Sequence, residues 1–389
     1  MFFDPVGCEI ENLLSREGAM NGIRSSQPVV QTQAAAQACM SKIRAVTDMA
    51  QNGCSSPLYA MAEIIDRLLK DPATSRKISV VRASRNKFHD AVGTQATLAS
   101  AWPLRLDALA GKDELPLIYL TSSETSTELC ALSSETRQRG IFCNDIETLP
   151  SHWPKGAHPW LPLWLLSNPQ CQPYDPASAA EARAITLHAL QSLYVEGRAG
   201  FYYMALHDES NETVIPLTDA QANAAVRGMY RLADMSLLQG RPRIRLLGAG
   251  LSLRNVLEAA HLLCDHWNVD CEVWSCPSYT RLARDADSAK RWNRLHPEQL
   301  RRSWHLRDCL GEEPDLVVAI TGYPQAVVEQ LRAHVAGRFV ALGADSPEPR
   351  LGSHASAHSI VVEALRALAD DGQIDYGTLK RAMAEKELV

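Results

Sequence analysis

The chain reads as an α/β protein built from two successive open, mostly parallel sheets, each covered by helices. Apolar runs such as IRLLGAG, CEVWSC, PDLVVAIT and GRFVALGAD are continuous, not alternating, which is the pattern of strands buried on both faces. Between them lie SLRNVLEAAHLLCDHW, YPQAVVEQLRAHV and HSIVVEALRALADDG, whose apolar residues recur at three and four and therefore read as helices. A polar, proline-containing stretch from His207 to Asp219 then separates two such alternating regions and reads as a link. The expected division is an N-terminal arm and helix over 1–57, a first α/β unit over 58–210 and a second over 211–389.

Taken in order, AAAQACMSKIRAVTDMA reads as a helix stopped at Asn52-Gly53. LYAMAEIIDRLLK reads as an amphipathic helix ended by Asp71-Pro72, and the strand KISVVRA follows. DELPLIYLTSS, Asp113 to Ser123, is the next strand, and STELCALSSETRQRG looks helical up to Gly140. The two prolines of PWLPLWLLSN, Pro159 to Asn168, favour an extended segment over a helix. PYDPASAAEARAITLHALQSLY opens with a proline at the start of an alanine-rich helix, and GRAGFYYMAL follows as a strand.

At 389 residues and 46% hydrophobic content the chain can bury two cores, since single domains run about 100–200 residues. The net charge of −6 and scattered basic residues exclude a nucleic-acid or anionic-membrane footprint. The 10 cysteines include no C-x-x-C pair, so reduced thiols are expected and no cysteine metal site. MFFDPVGCEIENLL has acids where a secretory signal needs Lys or Arg, and no apolar run approaches a membrane span; a cytoplasmic location is the expectation.

Several motifs invite a chemical reading. Gly248-Ala249-Gly250 lies between strand and helix, where a helix start attracts anions, but the third glycine of a dinucleotide fingerprint is missing and plain turn geometry is the simpler reading. Arg281, Arg284, Arg291 and Arg294, interleaved with Asp285 and Asp287, could clamp an anion, but ion pairing on an irregular segment anchored by Trp292 and Leu295 is the stronger reading. G-x-S-x-G does not occur, so Ser-His-Asp catalysis has no support.

Three segments carry a resemblance: YTRLARDADSAKRWNRLHP (Tyr279 to Pro297), RIRLLGAGLSLRNVLEAAHLL (Arg243 to Leu263) and NPQCQPYDPASAAEARAITLHAL (Asn168 to Leu190). In their chain order they resemble the homodimeric thiamine-diphosphate-dependent decarboxylase component of bacterial pyruvate dehydrogenase, a transketolase-like enzyme. The likeness is good from about Cys171 to Val389, patchy from Leu58 to Gln170, and absent before. It implies a pyrimidine-binding unit followed by a transketolase C-terminal unit. The family's G-D-G…N motif, which holds Mg²⁺ and diphosphate, has no match here.

What the resemblance implies for the site starts from a glutamate that bonds the cofactor's aminopyrimidine. Laying AVGTQATLASAW over the family's segment puts Gln95 at that position, and an amide cannot pass a proton as a carboxyl does. Asp90, Glu124 and Glu128 are nearby acids that could substitute. Trp102 and Tyr119 join Gln95 as expected cofactor contacts, and His152 and His158 lie where the family carries histidines facing the reaction centre. Tyr202 and Tyr203 would fall at a domain interface, core packing being their default. The implied function is the β-like half of a split thiamine diphosphate enzyme acting on a 2-oxo acid by decarboxylation or acyl or two-carbon transfer. An α-like partner chain would supply the diphosphate and Mg²⁺ unit, in a homodimer or α₂β₂ assembly. The alternative is a non-catalytic pseudoenzyme that scaffolds or regulates such a complex.

Overall fold

The computed structural model describes residues 30–45, 56–82, 100–109, 113–135, 139–209, 217–235, 240–345 and 355–385. The first sheet has the order β1-β2-β3-β5-β4, formed by β1 Ser79–Arg82, β2 Leu117–Thr121, β3 Arg139–Asn144, β4 Cys171–Tyr174 and β5 Gly200–Ala205. All its neighbours run parallel. The second has the order β10-β9-β7-β8-β6, formed by β6 Tyr230–Met235, β7 Arg243–Gly248, β8 Asp270–Ser275, β9 Leu316–Ile320 and β10 Phe339–Leu342. Only β6 is antiparallel, paired with β8.

Both faces of both sheets are covered. On one face of the first sheet, Ile118, Ile141 and Tyr202 pack under helices α1 (Val30–Ala45), α2 (Pro57–Lys70) and α6 (Ala179–Leu190). On the other, Tyr119, Phe142 and Phe201 meet Leu129 of α4 (Ser126–Glu135) and Leu161 of α5 (Trp160–Ser167). The short helix α3, Trp102–Leu109, lies between β1 and β2 in sequence. The second sheet is wrapped in the same way by α8 (Ser252–Trp267) and α11 (Ala357–Asp370) on one side and by α9 (Tyr279–Leu295) and α10 (His305–Leu310) on the other. Double coverage explains why the strand sequences are apolar at every position instead of every second one.

Five segments depart from the sequence reading, the first being YPQAVVEQLRAHV, where only Ala326–Glu329 is α-helical and Arg332–His334 forms a 3-10 turn. Pro159 to Asn168 is helical, not extended: Pro159 caps the helix and Pro162 stands in its first turn, where the missing N–H has no intrahelical acceptor to lose. Tyr279 to Leu295, expected to be irregular, is a 17-residue helix capped by Ser278, whose side chain accepts from Arg281 N. The helix expected from Pro173 begins only at Ala179, behind the Ser178 cap, and the residues before it form the edge strand β4. At the end of the expected link, where no element was expected, begins α7, Asp219–Arg227, with a complete capping box from Thr218 and Gln221. Strands β3 and β6 were also hidden, β3 because polar residues precede it directly and β6 because, as an edge strand, it is only partly buried. No helix among the described residues is long and apolar enough to cross a membrane. The 8 described cysteines are unbridged.

Candidate functional site

The carboxyl edge of the first sheet is where an open parallel sheet offers loops for chemistry. Beyond β2, Asn144 at the end of β3 organises the backbone. Its amide oxygen accepts from Ser123 N at 2.9 Å, and its amide nitrogen donates to Ser123 O at 2.8 Å and Tyr203 Oη at 2.9 Å. Ser123 Oγ pairs with Thr121 Oγ1 at 2.5 Å, and burial raises the half-buried carboxyl of Glu128 above its ordinary range, with the nearby Ser123 hydroxyl pulling the other way. His158 N donates to Glu124 O at 2.9 Å, which ties the following loop to the same edge. Trp153 then stands between the two histidines, its ring 4.4 Å from that of His152 and 4.9 Å from that of His158. His152 is exposed and His158 half-buried.

The fold thus brings His152, His158, Ser123 and Glu128 to one edge. Gln95 and Asp90 lie outside the described residues, as does Asn52-Gly53. Trp102 is 48% exposed at the start of α3, under the Arg105 guanidinium. Tyr119 points away from the edge into the sheet's covered face, fully buried, with its hydroxyl donating to Glu135 Oε2 at 2.7 Å. Among the described residues no group of three His, Cys, Asp or Glu side chains is placed to hold a metal ion.

Next to this edge lies a buried charged cluster that the sequence reading missed. Lys155, with φ 54, donates to both oxygens of Glu147 at 2.8 and 2.7 Å and to Asp175 Oδ1 at 3.1 Å, beneath the ring of Tyr323 at 5.2 Å. Burial alone would lower the lysine, but Asp175 and Glu147 outweigh it and hold the ammonium charged. Burial, with Glu147 as a second negative charge, pushes the Asp175 carboxyl up despite Lys155. His207 is 2% exposed, and neither ring nitrogen has a protein partner among the described residues; burial, then Lys155, brings it down to about 4. A signal for this cluster existed in Asp175 of the YDP motif, but no motif surrounds Lys155 or His207.

The cluster sits in the joint between the sheets. Asp175 N donates to Pro277 O at 2.7 Å and its carbonyl accepts from Gly250 N at 3.0 Å. A Cβ on Gly250, at φ 51, would collide with the Asp175 carboxylate, so the glycine turn is built for this approach. Glu181 on α6 completes the joint: it accepts from Ala177 N at 2.6 Å, from Tyr230 Oη at 2.8 Å and from Ser275 Oγ at 2.5 Å. Tyr203 likewise packs in one apolar cluster with Tyr323 and is both core and interface. Arg284 of α9 donates to the carbonyls of Cys171, Leu165, Leu166 and Asn168 at 2.5, 3.2, 2.9 and 2.9 Å. Trp292 stacks on His296 and under Arg302, whereas Leu295 is 60% exposed and anchors nothing.

Residues 228–346 match the family model described as the transketolase-like TK C-terminal domain. The chain is 32% identical over 227 residues to the pyruvate dehydrogenase E1 component of Cupriavidus necator, covering 57% of this chain and 25% of that protein. The same component of Escherichia coli K12 is 32% identical over 228 residues, again 57% of this chain and 25% of the relative. The matched region therefore spans about a quarter of the length of these relatives. Among solved structures, transketolase from Leishmania mexicana superposes with TM-score 0.55 at 15% identity, over 87% of this chain and 49% of that one. A split-gene transketolase, solved as an inactive β4 tetramer, gives TM-score 0.51 at 16% identity, over 82% of this chain and 99% of that one. At those identities the structural likeness shows the fold.

Proposed function

We propose, from a transketolase-like C-terminal domain joined to a second α/β sheet and from relatedness to pyruvate dehydrogenase E1, that this chain is the β-like half of a split thiamine diphosphate enzyme. In this reading residues 58–210 are a pyrimidine-binding-like unit, residues 211–389 a C-terminal-like unit, and a separate α-like chain contributes the diphosphate and Mg²⁺ site. The observation that carries it is the overlap with the split-gene transketolase, whose chain is covered over 99% of its length.

The donor chemistry of the carboxyl edge fits one end of such a cofactor. Glu128, raised by burial, can exchange a proton with a ring nitrogen, while His158 and Trp153 offer a polar atom beside an aromatic wall. The other end is not matched, because the described residues hold no metal-binding group. Bound thiamine diphosphate would supply the electron sink that lets a 2-oxo acid lose carbon dioxide. This chain's part is to orient the heterocycle against the edge, to hold a proton at Glu128, and to exclude water with the loop that carries His152 and His158.

Reconstitution tests the reading. Mixed with an α-like chain bearing the diphosphate unit, the protein is expected to form a complex with thiamine-diphosphate-dependent turnover of a 2-oxo acid. Glu128→Gln is expected to lower kcat by about 10²–10⁴-fold while the complex persists. A stable complex with no cofactor-dependent turnover would favour the scaffold reading instead, and absence of any complex would contradict both.

A further inference from the structure

Arg284 is a half-buried guanidinium whose four acceptors are all neutral backbone carbonyls, and no carboxylate among the described residues pairs with it. Burial disfavours its charge, and the next positive charge, Arg281, works in the same direction. Arg281 itself makes one long bond, to Gln172 Oε1 at 3.4 Å, and likewise has no carboxylate partner among the described residues. A guanidinium taken out of water without a counter-charge is costly. The same two arginines border a recess of about 250 Å³ lined by Gln172, Arg227, Arg281, Arg284, Asp285 and Ser288. Arg227 is exposed at its mouth and holds Asp308 only loosely, at 3.6 Å. Asp285, the one acid in the wall, is already engaged by His305 N at 2.7 Å. Three arginines against one aspartate leave the recess positive in a chain whose net charge is −6.

We propose that this recess, between the edge strand β4 and helix α9, binds a small, multiply charged oxyanion of the phosphate or polycarboxylate type. Arg281 presents the free fork, Arg227 and Ser288 close the mouth, and the anion is the counter-charge that Arg284 lacks. At about 250 Å³ the space falls below the usual ~300–1,000 Å³ of drug-sized sites, which favours a compact anion. Because Gln172 belongs to the first sheet and the arginines of α9 to the second, the bound anion ties the two layers together.

The experiment is thermal unfolding and calorimetric titration of the purified full chain with inorganic phosphate, and separately with citrate, against sodium chloride at constant ionic strength. A saturable rise in Tm with at least one of the two probes is expected, since a ligand that binds only the folded state stabilises it. Arg281→Gln, which gives up one long neutral contact and should leave the circular dichroism unchanged, is expected to weaken binding about tenfold or more. Arg227→Gln is expected to weaken it less. No saturable effect from either probe, or the same effect in both variants as in the unaltered protein, would overturn the proposal. So would a recess silent to both anions in which Arg281 becomes protected from phenylglyoxal only on adding a partner chain, because an acidic side chain of that partner would then be the occupant.

Discussion

Lys155 stands buried between Glu147 and Asp175, so its removal leaves two buried carboxylates without their cation. Lys155→Met is expected to destabilise the fold by about 3–5 kcal/mol in urea unfolding, the range for one partner lost from a buried ion pair. His207 gives a pH signature of opposite origin. In the folded protein its imidazole stays neutral down to about 4 because it is buried and faces Lys155, whereas in the unfolded chain it protonates near its ordinary value of about 6.5. The unfolded state therefore binds the extra proton first, and this contribution to stability is present above about pH 6.5 and lost as the pH falls toward 4. Relative to His207→Gln, the unaltered protein should lose up to about 3 kcal/mol across that window, read from denaturation curves at successive pH values. Parallel curves for the two proteins would show that His207 is not the titrating group. None of this was legible in the sequence. A lysine in PKG and a histidine in an apparent link carry no motif, and their burial arises only when β4, β5 and the α8 turn converge.

At the level of elements, the identifying segments prove to be parts of one joint. Asp175 and Glu181 come from Asn168–Leu190, Gly250 from Arg243–Leu263 and Arg284 from Tyr279–Pro297, and all four bind across the two sheets. Gly250→Ala would demand a left-handed backbone from alanine and push its Cβ into the Asp175 carboxylate; a cost of about 1–3 kcal/mol is expected. Arg284→Lys keeps the charge but cannot reach four carbonyls with one ammonium, so a loss of about 2–4 kcal/mol in urea unfolding is expected. Strands buried on both faces were legible because their apolar runs are continuous. Helix α5 was not, since the rule that prolines break helices yields at a first turn, and α9 was not, since its charges mask a buried stripe of Leu282, Ala283, Ala286 and Ala289.

For the whole molecule, the two-sheet α/β architecture follows from the sequence alternation, but completeness of the site does not. Trp102 and Leu106 on α3, and Trp160 and Leu163 on α5, are 48, 50, 67 and 43% exposed. Both helices contact α4: Ala101 N and the Arg105 guanidinium bond its Glu135 and Ser134, and its Leu129 shares a cluster with Leu161 of α5. Apolar surface of that kind usually marks an interface, and light scattering is expected to give a mass above the 42.8 kDa of one chain. The candidate site was legible only in part: the composition of their loop singles out His152 and His158 as candidates, whereas Glu128 is one of several nearby acids until the fold half-buries it beside the same edge. The central claim is that this chain holds one wall of a thiamine diphosphate site and another chain holds the rest. Calorimetric titration of thiamine diphosphate with Mg²⁺ into this chain, into the α-like chain and into their mixture tests it most directly. Stoichiometric binding is predicted in the mixture and none to this chain alone; saturable binding to this chain by itself, or none to the mixture, would contradict it.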